Sequence, residues 1–256
     1  MQRSVPSEFE LSEIIGESPE LKSVLWQAIN AAKSEAVVVI IGESGTGKEL
    51  IARAIHHTSN RRLQSFIKLD CSSIAPAQLD AALFGPDKNR LEAANLGTLL
   101  LKSLESVSQD LQSKLLRVLQ EKKSELPRDT TVPINARLIT TMSNIGQKAE
   151  DSWFCTTLSS KLNPCIIRVP ALRERQSDIP LLAWYFVRKW ARRMNKSIDV
   201  ISPETMESFV NYSWPDNVRE LDNFIERSVR STKDAELLST ISTERTKRAY
   251  GERRFR

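Results

Sequence analysis

The sequence AVVVIIGESGTGKELIARAIHH, residues 36–57, indicates the architecture of the chain more strongly than any other segment. Its first six residues, AVVVII, form a short and mostly β-branched run, which is typical of a strand buried on both faces. The glycines of GESGTG (42–47) end that strand in a turn, and KELIARAIHH (48–57) follows as a helix. A buried strand, a glycine-rich turn and a helix in this order predict part of a parallel α/β sheet.

The turn matches the pattern G-x-x-x-x-G-K in the strand-to-helix context that this pattern requires. Glycines allow successive backbone N–H groups to point inward, the helix N-terminus adds a partial positive charge, and Lys48 adds a full one. We therefore expect this loop to hold the phosphates of ATP or ADP. The predicted contacts are Gly42, Glu43, Ser44, Gly45, Thr46, Gly47, Lys48 and Glu49. Because Glu49 stands where Ser or Thr usually binds magnesium, the magnesium dependence of binding is left open here.

Strands and helices continue to alternate as far as residue 170. Further strands are predicted at 65–71, 98–101, 134–142 and 164–170, and helices at 18–33 and 109–122, the first capped by Ser18. Beyond Pro170 only helical segments are predicted, at 178–194, 203–212 and 216–231. The sequence therefore predicts an α/β nucleotide-binding core, a parallel sheet sandwiched by helices, over 1–170. A small helical lid over 171–235 and a basic tail over 236–256 follow it.

Composition narrows the class of protein without choosing a partner. The chain has 37 Lys and Arg against 32 Asp and Glu, a net charge of +5 that is compatible with an anionic ligand or nucleic acid but requires neither. Its three cysteines lack the regular spacing of a disulfide framework. The N-terminus has no apolar signal segment, and AVVVII is too short to cross a bilayer. We therefore expect a cytoplasmic protein with no membrane partner.

The segment GESGTGKELIARAIH (42–56) resembles the bacterial sigma-54-dependent activators, or enhancer-binding proteins, which carry Glu at the position of Glu49. Further matches follow in the order of that family: Ile14-Ile15-Gly16, FIKLDC (66–71), LFG (83–85), QSKLLRVLQE (112–121), LRER (172–175), DIP (178–180) and WPDNVREL (214–221). The resemblance covers about residues 10–230. It implies a hexameric AAA+ ring with ATP at the subunit interfaces, a helical lid, and a loop that ATP turnover drives against sigma-54.

The resemblance also assigns roles to residues outside the glycine-rich turn. It implies that Ile14, Ile15 and Gly16 lie near the adenine and that Arg219, in the lid, senses a phosphate. Asp70 stands where the family carries an asparagine that couples the catalytic carboxylate to the nucleotide. Arg219, with Lys48 and the glycines of the turn, favours holding a polyanion, whereas Asp70 is a departure from the family.

The chain departs from the family at the positions that hydrolyse ATP and transmit force. The family strand ends in Asp-Glu, which hold magnesium through water and activate the attacking water, whereas this chain has Lys102 and Ser103 there. The two arginine-finger positions are Cys155 and Lys161. The eleven residues PDKNRLEAANL separate Gly85 from Gly97 and contain no GAFTGA motif, so contact with sigma-54 is not expected. The resemblance thus implies a degenerate member with weak or absent hydrolysis.

Two interpretations of Lys102 remain open from the sequence. Its ammonium group could replace part of the magnesium charge and let ATP or ADP bind with weak metal dependence, or it could pair with Glu49 and block the site. Glu105 is a weak candidate for a substitute base, because a strand extended by three residues would carry it about 10 Å along the chain.

Three functions are compatible with this pattern. The first is a regulatory ATP-binding protein that acts in transcription by assembling with itself, or with an active relative, in an oligomeric ring. The second is a working ATPase with relocated carboxylates, for which Asp70 and Glu105 are the candidates. The third is a DNA-binding regulator independent of sigma-54, in which the basic tail contacts phosphates.

Overall fold

The computed structural model describes residues 13–85, 90–121, 123–125, 131–133, 135–143, 157, 163–232 and 236–237. The chain divides into two compact units. We call Met1–Ile14 with Lys22–Val169 the core unit, and Ile15–Leu21 with Pro170–Arg256 the helical unit. Each unit contains its own cluster or clusters of buried apolar side chains.

The core unit is built on a sheet whose strands run parallel in the order β2-β3-β6-β1-β7. The strands of the core unit are β1 (Val38–Ile41), β2 (Phe66–Asp70), β3 (Thr98–Lys102), β4 (Lys123–Glu125), β5 (Thr131–Pro133), β6 (Arg137–Met142) and β7 (Cys165–Arg168). β4 and β5 form a separate antiparallel pair. β1 lies between β6 and the edge strand β7, so the turn that follows it emerges at the carboxyl edge of the sheet, one strand in from its β7 side.

Both faces of this sheet are covered, because alternate residues of each strand belong to different apolar clusters. Val39, Ile41 and Leu99 pack with one group of helices, whereas Val38, Ile40 and Leu100 pack with the other. The helices are α1 (Pro19–Ala32), α2 (Lys48–Thr58), α3 (Pro76–Phe84), α4 (Arg90–Ala93) and α5 (Gln109–Glu121). Side chains of α3 and α5 cover the first face, and those of α1 and α2 cover the second. The predicted α/β sheet sandwiched by helices is confirmed.

The helical unit contains α6 (Ile179–Arg193), α7 (Pro203–Asn211) and α8 (Asn217–Ser231) around a core that includes Trp214 and Phe209. It also contains two short parallel strands, β8 (Val200–Ile201) and β9 (Glu236–Leu237). The expectation that this unit has no strand was wrong, because two residues are too few to show an alternating pattern. Leu237 is fully buried in this core, so the helical unit extends two residues into the range predicted as a tail.

The segment Ile15–Leu21 belongs to the helical unit although it lies near the start of the chain. Its backbone explains why: the amides of Glu17 and Ser18 donate to Asp178 Oδ1 at 2.7 and 2.8 Å, and Ser18 Oγ donates to Asp178 Oδ2. Asp178 is completely buried, so these bonds satisfy a carboxylate that would otherwise be costly to bury. Ser18 Oγ also accepts from the amide of Leu21, which confirms its prediction as the cap of α1.

Candidate nucleotide-binding site

The loop between β1 and α2 has the backbone that a phosphate cradle needs. Gly45 and Gly47 adopt φ angles of 75° and 99°, in the left-handed region that side-chain-bearing residues rarely occupy. Gly42 is required for a different reason, since a Cβ atom there would lie 2.7 Å from the carbonyl oxygen of Val169. Gly47 is also the N-cap residue of α2, so the partial positive charge of that helix N-terminus is directed at the loop.

Lys48 is held over this loop by the loop's own carbonyl groups. Its Nζ atom donates to Gly42 O at 2.6 Å and to Glu43 O at 2.8 Å. The hydroxyl of Thr46 donates to the same Glu43 carbonyl at 2.9 Å. A full positive charge is therefore held against the loop by two of its carbonyl groups, where it would attract the oxygens of a polyphosphate. The residues Gly42–Lys48 fit the phosphates of a nucleotide.

Beside the loop, Lys102 lies between two carboxylates. Its Nζ atom is 3.0 Å from Asp70 Oδ2 and 3.3 Å from Glu49 Oε2. Glu49 is also paired with Lys68, whose Nζ atom lies 2.9 Å from Glu49 Oε1. We call Glu49, Lys68, Asp70 and Lys102 the charge network. It joins β2, β3 and the first turn of α2 at the carboxyl edge of the sheet.

The surroundings keep three members of the charge network, Glu49, Asp70 and Lys102, ionised. Burial raises the pKa of Glu49, but the hydrogen bonds from Lys68 and Lys102 outweigh it and hold that pKa below its ordinary value. A hydrogen bond from Ser72 and the Lys102 ammonium lower the pKa of Asp70 against the opposing effect of burial. Burial lowers the pKa of Lys102, but Asp70 and Glu49 raise it by more. The network is therefore a fixed arrangement of charges at neutral pH.

The charge network does not fit a magnesium ion of the usual kind. Hydrated magnesium in nucleotide sites is bound through one or two carboxylates. Both carboxylates here are already paired with the Lys102 ammonium, which would repel a cation in the same place. Over the part of the chain that the structure describes, no group of three His, Cys, Asp or Glu side chains could hold a metal ion.

Ser103 turns the chain sharply at the end of β3. It has φ 56° and ψ 48°, a left-handed conformation that is uncommon for a residue with a side chain. The short 3₁₀ turn Leu104–Ser106 follows, and Glu105 Oε1 accepts a hydrogen bond from the amide of Ser143 at 3.1 Å. Ser143 directly follows β6, the neighbour of β1. The expectation that Glu105 is carried away along an extended strand was therefore wrong, because the strand ends at Lys102.

The other predicted site residues fall in different places. Ile14 belongs to the core unit, whereas Ile15 and Gly16 belong to the helical unit, as does Arg219 on the first turn of α8. Cys155 and Lys161, the predicted arginine-finger positions, lie outside the described residues, as do 86–89 in the segment that follows Gly85. α4 occupies the next four residues of that segment.

Sequence reasoning missed Lys68 and the pairing of Asp70 with Lys102. The strand register shows the signal that could have revealed this pair: β2 and β3 run parallel, and Asp70 is the direct partner of Lys102. FIKLD ends in Asp70 and TLLLK ends in Lys102, so two opposite charges stand at the same place at the ends of the two strands. Lys68 has no comparable signal, since its contact with Glu49 joins two segments nineteen residues apart.

A P-loop on a parallel α/β sheet, together with a separate helical unit, defines the AAA+ class of proteins. Residues 14–168 match the family described as the Sigma-54 interaction domain, and residues 173–249 match the AAA+ ATPase lid domain. The chain therefore belongs to the sigma-54 activator family. In the described residues, no helix is both long and apolar enough to cross a membrane.

Curated relatives agree with this assignment. The DNA-binding transcriptional activator HyfR of Escherichia coli is 42% identical over 236 residues, which cover 87% of this chain and 35% of HyfR. The transcriptional regulatory protein ZraR of E. coli is 36% identical over 229 residues, which cover 84% of this chain and 52% of ZraR. The chain thus spans about a third to a half of the length of these relatives.

Solved structures show the same fold. NtrX from Brucella abortus in complex with ADP has a TM-score of 0.79 and 30% identity, over 92% of this chain and 55% of NtrX. The complex of NtrX with ATP has a TM-score of 0.80 at 30% identity, over 90% of this chain and 53% of NtrX.

Proposed function

We propose that this protein binds ATP or ADP as a regulatory AAA+ protein of transcription, and that it hydrolyses ATP slowly or not at all. The observation that carries the proposal is the position of Lys102. Its ammonium group lies 3.0 and 3.3 Å from two carboxylates beside an intact phosphate loop. The crystal structures of NtrX with ADP and with ATP support nucleotide binding by this fold.

The proposal of weak hydrolysis rests on which chemical groups stand at the end of β3. Lys102 and Ser103 occupy the positions where the family resemblance implies Asp and Glu. An ammonium cannot hold hydrated magnesium, and a hydroxyl of ordinary pKa cannot take a proton from water at neutral pH. Cys155 and Lys161 stand at the arginine-finger positions and are a second reason to expect weak hydrolysis. Losing such an arginine lowers the turnover rate by roughly 10³–10⁵-fold.

In this proposal Lys102 replaces part of the magnesium charge. When a nucleotide enters, its phosphates compete with Glu49 and Asp70 for the Lys102 ammonium, and Lys48 exchanges the carbonyls of Gly42 and Glu43 for phosphate oxygens. Both exchanges replace a neutral or single-charged acceptor with a more highly charged one. Binding then needs little or no magnesium.

The partners follow from the same resemblance. We propose that the chain assembles with itself or with an active relative in a ring, where a subunit that does not hydrolyse ATP dilutes the active interfaces. Contact with sigma-54 is not part of the proposal, because the segment between Gly85 and Gly97 is short and lacks the family's motif. The basic residues of 236–256 could add contacts to DNA.

A second candidate function is a slow ATPase that uses Glu105 as its base. The observation that favours it is the hydrogen bond between Glu105 and the amide of Ser143, which holds a carboxylate beside the end of β6. In this reaction water attacks the γ-phosphorus, its proton passes to Glu105, and the bond from phosphorus to the ADP oxygen breaks.

Calorimetric titration with ATP, with and without magnesium, tests the main proposal. We expect the wild-type chain to bind ATP in the presence of a chelator, with an affinity close to that in magnesium. Lys48→Ala should weaken binding by roughly ten- to a hundredfold in both conditions, the value of one charge-assisted contact. Lys102→Asp should bind ATP more weakly in chelator than in magnesium, because it exchanges the built-in cation for a carboxylate.

Lys33→Ala is the matched control, because Lys33 is exposed just after α1 and its loss changes the net charge equally. This variant should bind like the wild type. Binding of wild type that requires magnesium would refute the role given to Lys102. An absence of binding in both conditions would refute nucleotide binding altogether and leave the protein as a scaffold.

A further inference from the structure

The second half of α6 carries a concentration of positive charge. Between Pro180 and Ile198 the sequence has five basic residues and no acidic one. The basic residues are Arg188, Lys189, Arg192, Arg193 and Lys196. Arg188 and Arg192 are four residues apart, as are Lys189 and Arg193, so these four form two adjacent rows on one side of the helix.

Two of the five have structural roles within the helical unit. Lys189 pairs with Asp222 of α8 at 3.0 Å. Lys196 donates to the carbonyl oxygens of Val229, Arg230 and Thr232, and so satisfies the last turn of α8. The remaining three, Arg188, Arg192 and Arg193, are exposed, and the described part of the chain provides no acidic partner for them. We call these three arginines the lid arginine face.

Tryptophan side chains orient this face. The guanidinium of Arg188 lies 5.9 Å from the ring centre of Trp184, and that of Arg193 lies 5.4 Å from the ring centre of Trp190. Trp190 is itself fixed, because its Nε1 atom donates to Asp222 at 2.7 Å. Contacts of this kind restrict the rotamers of the arginines, so less conformational entropy is lost when they bind an anion.

We propose that the lid arginine face binds the phosphate backbone of duplex DNA without regard to base sequence. Three unpaired guanidinium groups within six residues complement a surface with one negative charge per about 1.7 Å of helix axis. Arginine is suited to this role because its planar fork can bind a phosphate through two hydrogen bonds. The proposal is independent of nucleotide binding and of the basic residues at 236–256.

An acidic protein surface is the competing partner. Leu181 and Tyr185 continue the outer side of α6 toward its N-terminus and are 43% and 42% exposed. Exposed apolar side chains next to arginine are typical of protein interfaces. The charge itself favours DNA, since all the basic residues cluster in the second half of the helix and the two apolar residues lie in the first.

Fluorescence anisotropy of a labelled duplex of arbitrary sequence, measured at several salt concentrations on the full chain, tests the proposal. In Arg188→Gln/Arg192→Gln we expect the slope of log K against log salt to fall by about 1.8, since each lost phosphate contact removes about 0.9. This fall in slope corresponds to a duplex affinity of the variant that is weaker than that of the wild type by roughly 10- to 60-fold at about 0.1 M salt. Arg188→Lys/Arg192→Lys keeps the charge and should retain most of the salt slope.

Lys22→Gln/Lys33→Gln is the control for the loss of two positive charges elsewhere. Both lysines are exposed in or next to α1, and their replacement should leave the slope and the affinity unchanged. Circular dichroism should show all three double variants folded, because the changed side chains are on the surface.

Three results would overturn the proposal. Arg188→Gln/Arg192→Gln could bind the duplex like the wild type. Lys22→Gln/Lys33→Gln could lose as much affinity as the arginine variant, which would reduce the effect to net charge. Alternatively, polyglutamate could bind with the same dependence on Arg188 and Arg192 while the duplex does not, which would assign the face to an acidic protein partner.

Discussion

At the end of β3 a single ammonium group, that of Lys102, lies between two carboxylates that come from other segments of the chain. The side chains of Lys102, Glu49 and Asp70 keep 27%, 28% and 32% of their exposure, so solvent screens these pairs. Each pair then contributes at most about 1 kcal/mol to the free energy of unfolding. Their importance is therefore in placing a positive charge beside the phosphate loop rather than in stabilising the fold.

Glu105 provides the test that separates the two candidate functions. If Glu105 is a base, Glu105→Gln should reduce ATP turnover by roughly 10²-fold or more and leave ATP affinity unchanged. The measurement is release of phosphate in a single-turnover assay, with affinity determined separately. If the main proposal holds, phosphate release by the wild type is close to background, and Glu105→Gln leaves it unchanged.

Asp70→Asn is the matched control for that experiment, because it removes a second carboxylate at the same edge of the sheet. Asp70 is occupied by Lys102 and by Ser72, whose Oγ donates at 2.7 Å. It should therefore be unable to act as a base, and its loss should not lower turnover. Turnover that depends on Asp70 but not on Glu105 would contradict both candidate functions.

Among the elements, the loop from Gly42 to Gly47 is the most constrained by its own geometry. A Cβ atom at Gly42 would lie 2.7 Å from Val169 O and 3.2 Å from Thr46 Oγ1. The first of these atoms is backbone and cannot move without shifting the end of β7. The turn after β1 is thus fixed by its packing against the neighbouring strand.

Gly42→Ala should lower the free energy of unfolding by about 1–3 kcal/mol, the usual cost of forcing an extra group into a packed site. Denaturant unfolding measures this loss, and calorimetry should show weaker ATP binding because the loop is displaced. Gly47→Ala is the comparison: its Cβ meets no atom within 4 Å, so only the φ of 99° opposes it. Stability of Gly42→Ala equal to that of the wild type would show that the loop is not held against β7.

The element boundaries followed from the sequence more closely than the contacts did. The helices at α1, α2 and α5 and all five strands of the parallel sheet lie where periodicity and β-branched runs predict them. The helices α3 and α4 and the antiparallel pair β4 and β5 were not predicted. Two further features escaped: the strands β8 and β9, and the turn at Ser103. Both depend on contacts with other parts of the chain, since two-residue strands have no periodicity and a serine gives no local reason for φ 56°.

For the molecule as a whole, the buried His56 links folding to pH. It is 1% exposed at the end of α2, and its Nδ1 atom lies 2.9 Å from Thr98 Oγ1. Burial, with help from the nearby charges of His57 and Arg137, lowers the pKa of His56 to about 4. The folded state therefore favours the neutral imidazole.

Protonation of His56 therefore destabilises the folded state relative to the unfolded chain. Because the folded pKa lies below the unfolded value of 6.5, the contribution of His56 to stability is complete above about pH 6.5 and is lost as the pH falls toward 4. Between about pH 7 and 5 we expect a loss of about 2 kcal/mol. Denaturant unfolding of wild type and His56→Gln at both pH values measures it, since the variant should lack this part of the pH dependence.

His57→Gln is the control for this measurement. The pKa of His57 is also lowered by burial, but its side chain is only partly buried, so most of the pH dependence should remain in this variant. Equal pH dependence in His56→Gln and the wild type would contradict the assignment.

The sequence by itself determined the glycine-rich loop after β1, the five strands of the parallel sheet, and the change to a helical unit after Pro170. These are local properties: glycine tolerance, β-branched runs and helical periodicity act over a few neighbouring residues. Only the tertiary structure decided that Lys102 meets Glu49 and Asp70, that Glu105 meets Ser143, and that Asp178 binds the segment Ile15–Leu21 to the helical unit. Those contacts depend on strand register and on where the chain turns back. The register of the strands and the places where the chain turns back are set by the packing of the whole unit, and no local sequence pattern encodes them.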